Sequence, residues 1–122
     1  MRKIKYHVSA FKFITYFLVT NKKQLRQVCK EKGIPKRDIP VRDTGARVNF
    51  IYFEVGTLAI VQLPDSDHTL SEKLGLLAHE CVHIKQQVMD EIGEKFPSDE
   101  FEAYFVQDLM TNLTEDYLNT QA

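Results

Sequence analysis

The stretch TLSEKLGLLAHECVHIKQQVMDEIG, residues 69–93, decides the fold because it predicts one long amphipathic helix. It opens on a capping-box pattern, with Thr69 three residues before Glu72, and it closes on Gly93, a residue type that favours helix ends. Between these ends, apolar residues recur at helical spacing and predict the side that packs on a core. They are Leu70, Leu74, Leu77, Cys81, Ile84, Val88 and Ile92.

Within this helix, the segment His79-Glu80-Cys81-Val82-His83 has the spacing of a metal site. Residues four apart lie on the same helix face, so both imidazoles can point at one metal ion, opposite the apolar row. Glu80 is close enough to hold a water on that metal without being a ligand itself. A water acidified by Zn²⁺ and deprotonated by a carboxylate is the nucleophile of metal-assisted hydrolysis. The alternative is a solvated helix face with two unrelated histidines.

A hydrolytic zinc site needs a third protein ligand, and the next predicted helix supplies acidic candidates. Ser98 is a predicted N-cap, so Asp99 and Glu100 are explained as first-turn residues that favour the helix dipole. Glu102 instead shares a face with apolar residues, where a carboxylate needs a partner or a cation. Those residues are Phe105, Val106, Leu109 and Leu113. We favour Glu102 as the third ligand, and a pair with Lys85 or Lys95 is the alternative.

From residue 69 to about 118, this arrangement resembles the gluzincin branch of the HExxH metallopeptidases. That family carries a Glu ligand on the next helix, and 18 residues separate His83 from Glu102 here. The phrase EAYFVQ, residues 102–107, is similar to the second helix of small metallopeptidase-like proteins encoded in phage genomes. The resemblance implies that His79, His83 and Glu102 bind a single Zn²⁺ and that Glu80 is the general base.

The same resemblance implies a phage-encoded zinc peptidase that hydrolyses peptide or protein substrates in a bacterial host. Family members usually add a Tyr or His that stabilises the oxyanion, for which Tyr104, His68 and His7 are the candidates. They also bind extended substrate along an edge strand beside the active helix. Residues 57–63 or 47–53 would provide that strand, and the sequence does not decide between them.

Length and composition predict one domain over residues 1–122, of a zincin-like α+β class. We expect a small, mostly antiparallel sheet packed against the HExxH helix and a C-terminal helix, with those helices on one face. Alternation and turn residues predict strands at 3–9, 47–53 and 57–63, a second strand or the continuation of the first at 11–19, a helix at 21–32 and a loop at 34–46. Cys29 and Cys81 lie on apolar helix sides and predict buried thiols, typical of a reducing, cytoplasmic compartment. No convincing signal peptide or membrane span is predicted.

Charge is divided unevenly along the chain. Residues 1–47 contain 13 Lys and Arg against 3 acidic residues, and residues 48–122 contain 3 against 14. The basic half could bind nucleic acid, although no nucleic-acid motif accompanies it and a solvated basic surface is favoured. A further alternative is a zinc-stabilised interaction module that binds a partner and cleaves nothing, in which Glu80 would have no catalytic use.

Overall fold

The computed structural model describes residues 3–40 and 45–121. Over these ranges the chain has the predicted α+β class, with four strands in one sheet and three α-helices. The strands are β1 (His7–Val8), β2 (Ile14–Val19), β3 (Arg47–Phe53) and β4 (Gly56–Gln62). The helices are α1 (Lys22–Lys32), α2 (Leu70–Glu91) and α3 (Asp99–Thr120).

The strand order of the sheet is β1-β2-β4-β3, which places β4 inside and β3 at an edge. The pairs β1–β2 and β3–β4 are antiparallel, as expected for a mostly antiparallel sheet, but β2–β4 is parallel. After β2 the chain passes through α1 and β3 before it returns as β4. Parallel neighbours require such a long crossover, whereas β3 and β4 are joined by a tight hairpin at Gly56.

Side chains of β2 and β4 alternate between two apolar layers, so both faces of the sheet are covered. The layer shared with α2 and α3 contains Ile14, Tyr16, Leu18, Ala59, Val61 and Leu63. The layer shared with α1 contains Phe17, Val19, Leu58 and Ile60. The HExxH helix and the C-terminal helix therefore lie on one face as predicted, and the basic helix α1 covers the other. Cys29 and Cys81 are both buried, one in each layer, which confirms the prediction of buried thiols.

The ends of α2 and α3 follow the local sequence signals. The Thr69 side chain accepts a hydrogen bond from the Glu72 amide at 3.2 Å, and Glu72 Oε1 accepts one from the Thr69 amide at 2.8 Å. Ser98 caps α3 through the amide of Phe101. Gly93, just beyond α2, has a φ of 71°, which favours glycine. Of the predicted apolar row, Leu77, Cys81, Ile84 and Val88 are buried, whereas Leu70 in the first turn is exposed.

The N-terminal strand predictions need correction. The predicted strand 3–9 is reduced to the two residues of β1, and the second strand begins at Ile14 instead of residue 11. A 3₁₀ turn at Ala10–Lys12, in which Phe11 and Lys12 have φ values of 60° and 58°, interrupts the extended backbone after β1 and delays the start of β2. The predicted loop 34–46 contains a short 3₁₀ turn at Lys36–Asp38, and its residues 41–44 lie outside the described ranges.

Across the described part of the chain, none of the helices combines the length and the apolar character that crossing a membrane requires.

Candidate metal centre

His79 and His83 face each other on the exposed side of α2. Their Nε2 atoms are 3.2 Å apart, and the two rings meet edge to face with centroids 4.8 Å apart. The one-turn spacing on the helix causes this convergence, because side chains at i and i+4 lie one above the other. The sequence prediction that both imidazoles point at one place is confirmed.

The spacing of the two nitrogens fits a shared metal ion. Two Zn–N bonds at tetrahedral angles hold their nitrogens about 3.3 Å apart, close to the separation of His79 and His83. Together with Glu80, they form a group whose potential ligand atoms all lie within 4.8 Å of one another. Imidazole nitrogen and carboxylate oxygen are both ordinary zinc ligands. These residues can therefore hold a metal ion.

Glu80 lies at the edge of the buried side of α2 and is only 5% exposed. Its Oε2 atom is buried and has no hydrogen-bond partner among the described residues. A buried carboxylate oxygen without a partner is costly, since desolvation is not compensated. The same carboxylate contributes to the environment of Cys81: burial, and then the charge of Glu80, raise the pKa of that thiol to about 12. Cys81 itself is fully buried in the apolar layer and does not belong to the group of potential ligand atoms.

A cleft of about 470 Å³ opens beside Glu80 and His83. The edge strand β3 supplies one wall through Arg47, Val48 and Phe50. The continuation of α2 supplies the other through Gln86, Gln87 and Asp90. The cleft thus joins the candidate metal ligands to a strand whose outer edge has no neighbouring strand in the described sheet.

The structure does not bring Glu102 to the histidines. Glu102 Oε1 is 3.4 Å from Lys85 Nζ, which is the pairing that the sequence left as the alternative. Lys85 lies about 160° around α2 from His83 and about 120° from His79, so α3 packs on a different side of the helix. The three-ligand set of His79, His83 and Glu102 is not assembled in this arrangement, and the ligand role of Glu102 stays a prediction.

Among the described residues, none of the other predicted site residues makes a hydrogen bond or ring contact with the histidine pair. Asp99 and Glu100 are exposed in the first turn of α3, where the sequence explains them. Tyr104 is 62% exposed on the same helix. His68, whose Nδ1 is 2.7 Å from Ser66 Oγ, precedes α2, whose first residue Leu70 lies about 13 Å before His79 along the helix axis. The oxyanion role of Tyr104 or His68 stays a prediction.

His7 is engaged elsewhere in the fold. Its Nε2 is 2.6 Å from Asp116 Oδ2 on α3, and its ring stacks on that of Tyr16. This contact ties the short strand β1 to the C-terminal helix. It gives His7 a structural use outside the cleft.

Sequence reasoning missed one residue of this region. Gln86 Oε1 lies 3.1 Å from His83 Nδ1, the ring nitrogen that faces away from His79. Gln86 follows His83 by three residues, so the helical neighbour rule could have found it. Gln86 was not predicted because the sequence motif concerns only the ring nitrogens that face the metal.

Comparison of the chain with protein families, with curated proteins and with solved structures finds no match.

Proposed function

We propose that the chain is a zinc-dependent peptidase in which His79 and His83 supply two of the protein ligands and Glu80 is the general base. The third protein ligand is not assembled among the described residues. The observation that carries this proposal is the convergence of two imidazole nitrogens beside a buried carboxylate oxygen that lacks a partner in the described structure. A structural zinc site has no use for such a carboxylate, whereas a hydrolytic site requires a base at this place.

Each side chain has a defined task in this scheme. A divalent zinc ion, when bound, would polarise a carbonyl and acidify water. Glu80 would accept a proton from the attacking water and pass it to the leaving amine. Its unpartnered Oε2 atom favours this role, because no described residue competes with the water for that oxygen. His79 and His83 would hold the ion on the open side of α2, where substrate has access.

The position of β3 supports one of the two strands considered for substrate binding. β4 is paired on both sides, by β2 and by β3, so its backbone is already satisfied. β3 is paired only with β4 in the described sheet and lines the cleft beside Glu80. An extended peptide could pair with the outer edge of β3 and present its backbone to Glu80. Residues 47–53 are therefore the proposed substrate strand.

The test compares Glu80→Gln with Asp90→Asn. Both changes neutralise a carboxylate of α2 that lines the cleft, but only Glu80 lies next to the histidines. We expect Glu80→Gln to keep bound zinc and to lower kcat/KM on an unstructured protein substrate by about 10²- to 10⁴-fold. Asp90→Asn should retain activity, and a zinc chelator should abolish wild-type cleavage.

Chelator-resistant cleavage, or full activity in Glu80→Gln, would overturn the proposal. Stoichiometric zinc binding without cleavage of any unstructured protein would also overturn it, in favour of the non-catalytic module. Because Gln has nearly the volume of Glu, a circular dichroism melt of the variant separates loss of catalysis from loss of folding.

A further inference from the structure

The exposed side of α2 continues beyond His83 with Gln86, whose side-chain oxygen is placed against the imidazole. The Gln86 Oε1 to His83 Nδ1 distance of 3.1 Å is that of a hydrogen bond. An amide oxygen can only accept, so the proton of this bond belongs to His83 Nδ1. A neutral imidazole carries one proton, and His83 Nε2 is therefore left with a lone pair.

This lone pair is what a metal ion requires of a histidine. It points at His79, because the two Nε2 atoms are 3.2 Å apart. Metal-binding histidines commonly donate their second N–H to an oxygen acceptor, which fixes the ring and selects the nitrogen that binds. Gln86 provides such an acceptor before any ion is present.

The two histidines are not equivalent in this respect. With a lone pair on His83 Nε2, the short distance between the rings is a hydrogen bond only if His79 Nε2 carries its proton. His79 Nδ1 has no hydrogen-bond partner among residues 3–40 and 45–121, so nothing in the described structure holds the proton there. Metal binding would break the N–H bond at His79 Nε2 and form one at its Nδ1, with water carrying the proton and no net change in charge. His83 would need no such change.

We infer that Gln86 is a positioning residue: it keeps the proton of His83 on Nδ1 and so leaves Nε2 free to bind the ion. His79 must move its proton from Nε2 to Nδ1 before it can bind the same ion. The inference rests on the proposed function only in that His83 binds the ion. The structural part, opposite tautomers in the metal-free protein, stands without it.

Gln87 offers a matched control. It is the next residue, lines the same cleft, and donates to Glu91 Oε1 at 3.2 Å instead of contacting a histidine. We would measure Zn²⁺ affinity by competition with a chromophoric chelator for wild type, Gln86→Leu, Gln87→Leu and Gln86→Glu. Loss of the acceptor in Gln86→Leu should weaken binding about 10-fold. Gln87→Leu should bind Zn²⁺ with the affinity of the wild type. Gln86→Glu should do so too, because a carboxylate is also an acceptor.

A second measurement needs no metal. Two-bond ¹H–¹⁵N correlation spectra of the metal-free protein, at a pH where both imidazoles are neutral, report which ring nitrogen carries the proton. We expect His83 to be protonated at Nδ1 and His79 at Nε2 in wild type, and His83 to lose this preference in Gln86→Leu. Gln86 is exposed, so the substitution should not disturb folding.

Equal affinities of Gln86→Leu and Gln87→Leu would overturn the inference, as would a wild-type His83 protonated at Nε2. Failure of the wild type to bind zinc would overturn the proposed function instead. The tautomer spectra would then decide the role of Gln86 by themselves.

Discussion

On one flank of α2, which we name the β3 flank, the buried Glu80 oxygen has no partner among the described residues and two imidazoles converge on the open side beside it. On the opposite side, the α3 flank, Lys85 and Glu102 lie within 3.4 Å of each other. Both flanks belong to the same helix and both place charged side chains near apolar layers. They differ in whether those charges find protein partners.

The two flanks differ in how their charged groups are partnered. On the α3 flank, the partly buried Lys85 and Glu102 contact each other. A folded chain normally pairs its buried polar atoms, and among the described residues Glu80 Oε2 and Thr114 Oγ1, on α3, are exceptions. Of these two atoms only Glu80 Oε2 belongs to a carboxylate beside the imidazoles, where a ligand or a reacting group would supply its partner. We therefore place the proposed function on the β3 flank, and substitutions on the two flanks can test this proposal.

The largest effect should come from removing one imidazole. His83→Ala deletes one of two converging nitrogens, and we expect zinc affinity to fall at least about 100-fold, with loss of hydrolysis. Lys85→Ala, two residues further along the helix on the α3 flank, should leave zinc affinity unchanged. Chelator-competition titration of both variants provides the measurement. Similar losses in the two variants would remove the distinction between the flanks.

A second effect concerns stability. Glu80→Leu replaces a buried carboxylate that has an unpaired oxygen, and should raise the free energy of unfolding of the metal-free protein by about 1–3 kcal/mol. Glu102→Leu is the matched change on the α3 flank. Glu102 is 36% exposed, so breaking its contact with Lys85 should change stability by less than about 1 kcal/mol. Urea unfolding of both variants measures this, and a destabilised Glu80→Leu would mean that the carboxylate is satisfied in solution.

The sequence predicted those parts of the fold that depend on neighbouring residues. The N-caps Thr69 and Ser98 and the extent of β3 follow from local patterns, and each is found where expected. The parallel pairing of β2 with β4 was not predicted, because strand order depends on contacts that are distant in sequence. The break between β1 and β2 follows from positive φ values at Phe11 and Lys12, which no residue type signals there.

The candidate site also contains features that local sequence predicts and features that depend on tertiary packing. Convergence of His79 and His83 follows from spacing along a single helix, so the sequence predicted it. Which side of α2 contacts α3 depends on tertiary packing. The sequence therefore allowed Glu102 to be either a metal ligand or the partner of Lys85, and only the packing distinguishes the two. The burial of Glu80 likewise depends on β3 lying beside α2, a contact between segments far apart in sequence.

A smaller effect, which should be the same for both flanks, is expected from a substitution at the start of α2. Thr69→Ala removes the capping hydrogen bond to the Glu72 amide and should lower the free energy of unfolding by about 1 kcal/mol. Both flanks belong to the capped helix, so zinc affinity in the folded protein should stay unchanged. Thermal unfolding and zinc titration together measure this, and a selective loss of zinc would show that the cap positions the histidines.

The pH dependence of this cap has a definite sign. The hydrogen bond with the Thr69 backbone, and then that with its side chain, lower the pKa of Glu72 in the folded protein. The stabilisation is therefore present above the pKa of the unfolded chain and is lost as the pH falls through the folded-state pKa. Glu72→Gln should flatten that acid limb of the stability profile. An unchanged profile would contradict the capping role of the charge.

The smallest expected effect is the one that bears most directly on the ligand set. In the arrangement described, Glu102 contacts Lys85 on the α3 flank, and uncoupled sites leave each other's free energies nearly unchanged. Glu102→Gln should then alter zinc affinity by no more than about twofold, measured beside Glu100→Gln as the control on the same helix. A large loss confined to Glu102→Gln would contradict this expectation. It would mean that zinc binding draws Glu102 away from Lys85 and around α2, so that the α3 flank would complete the site that the β3 flank begins.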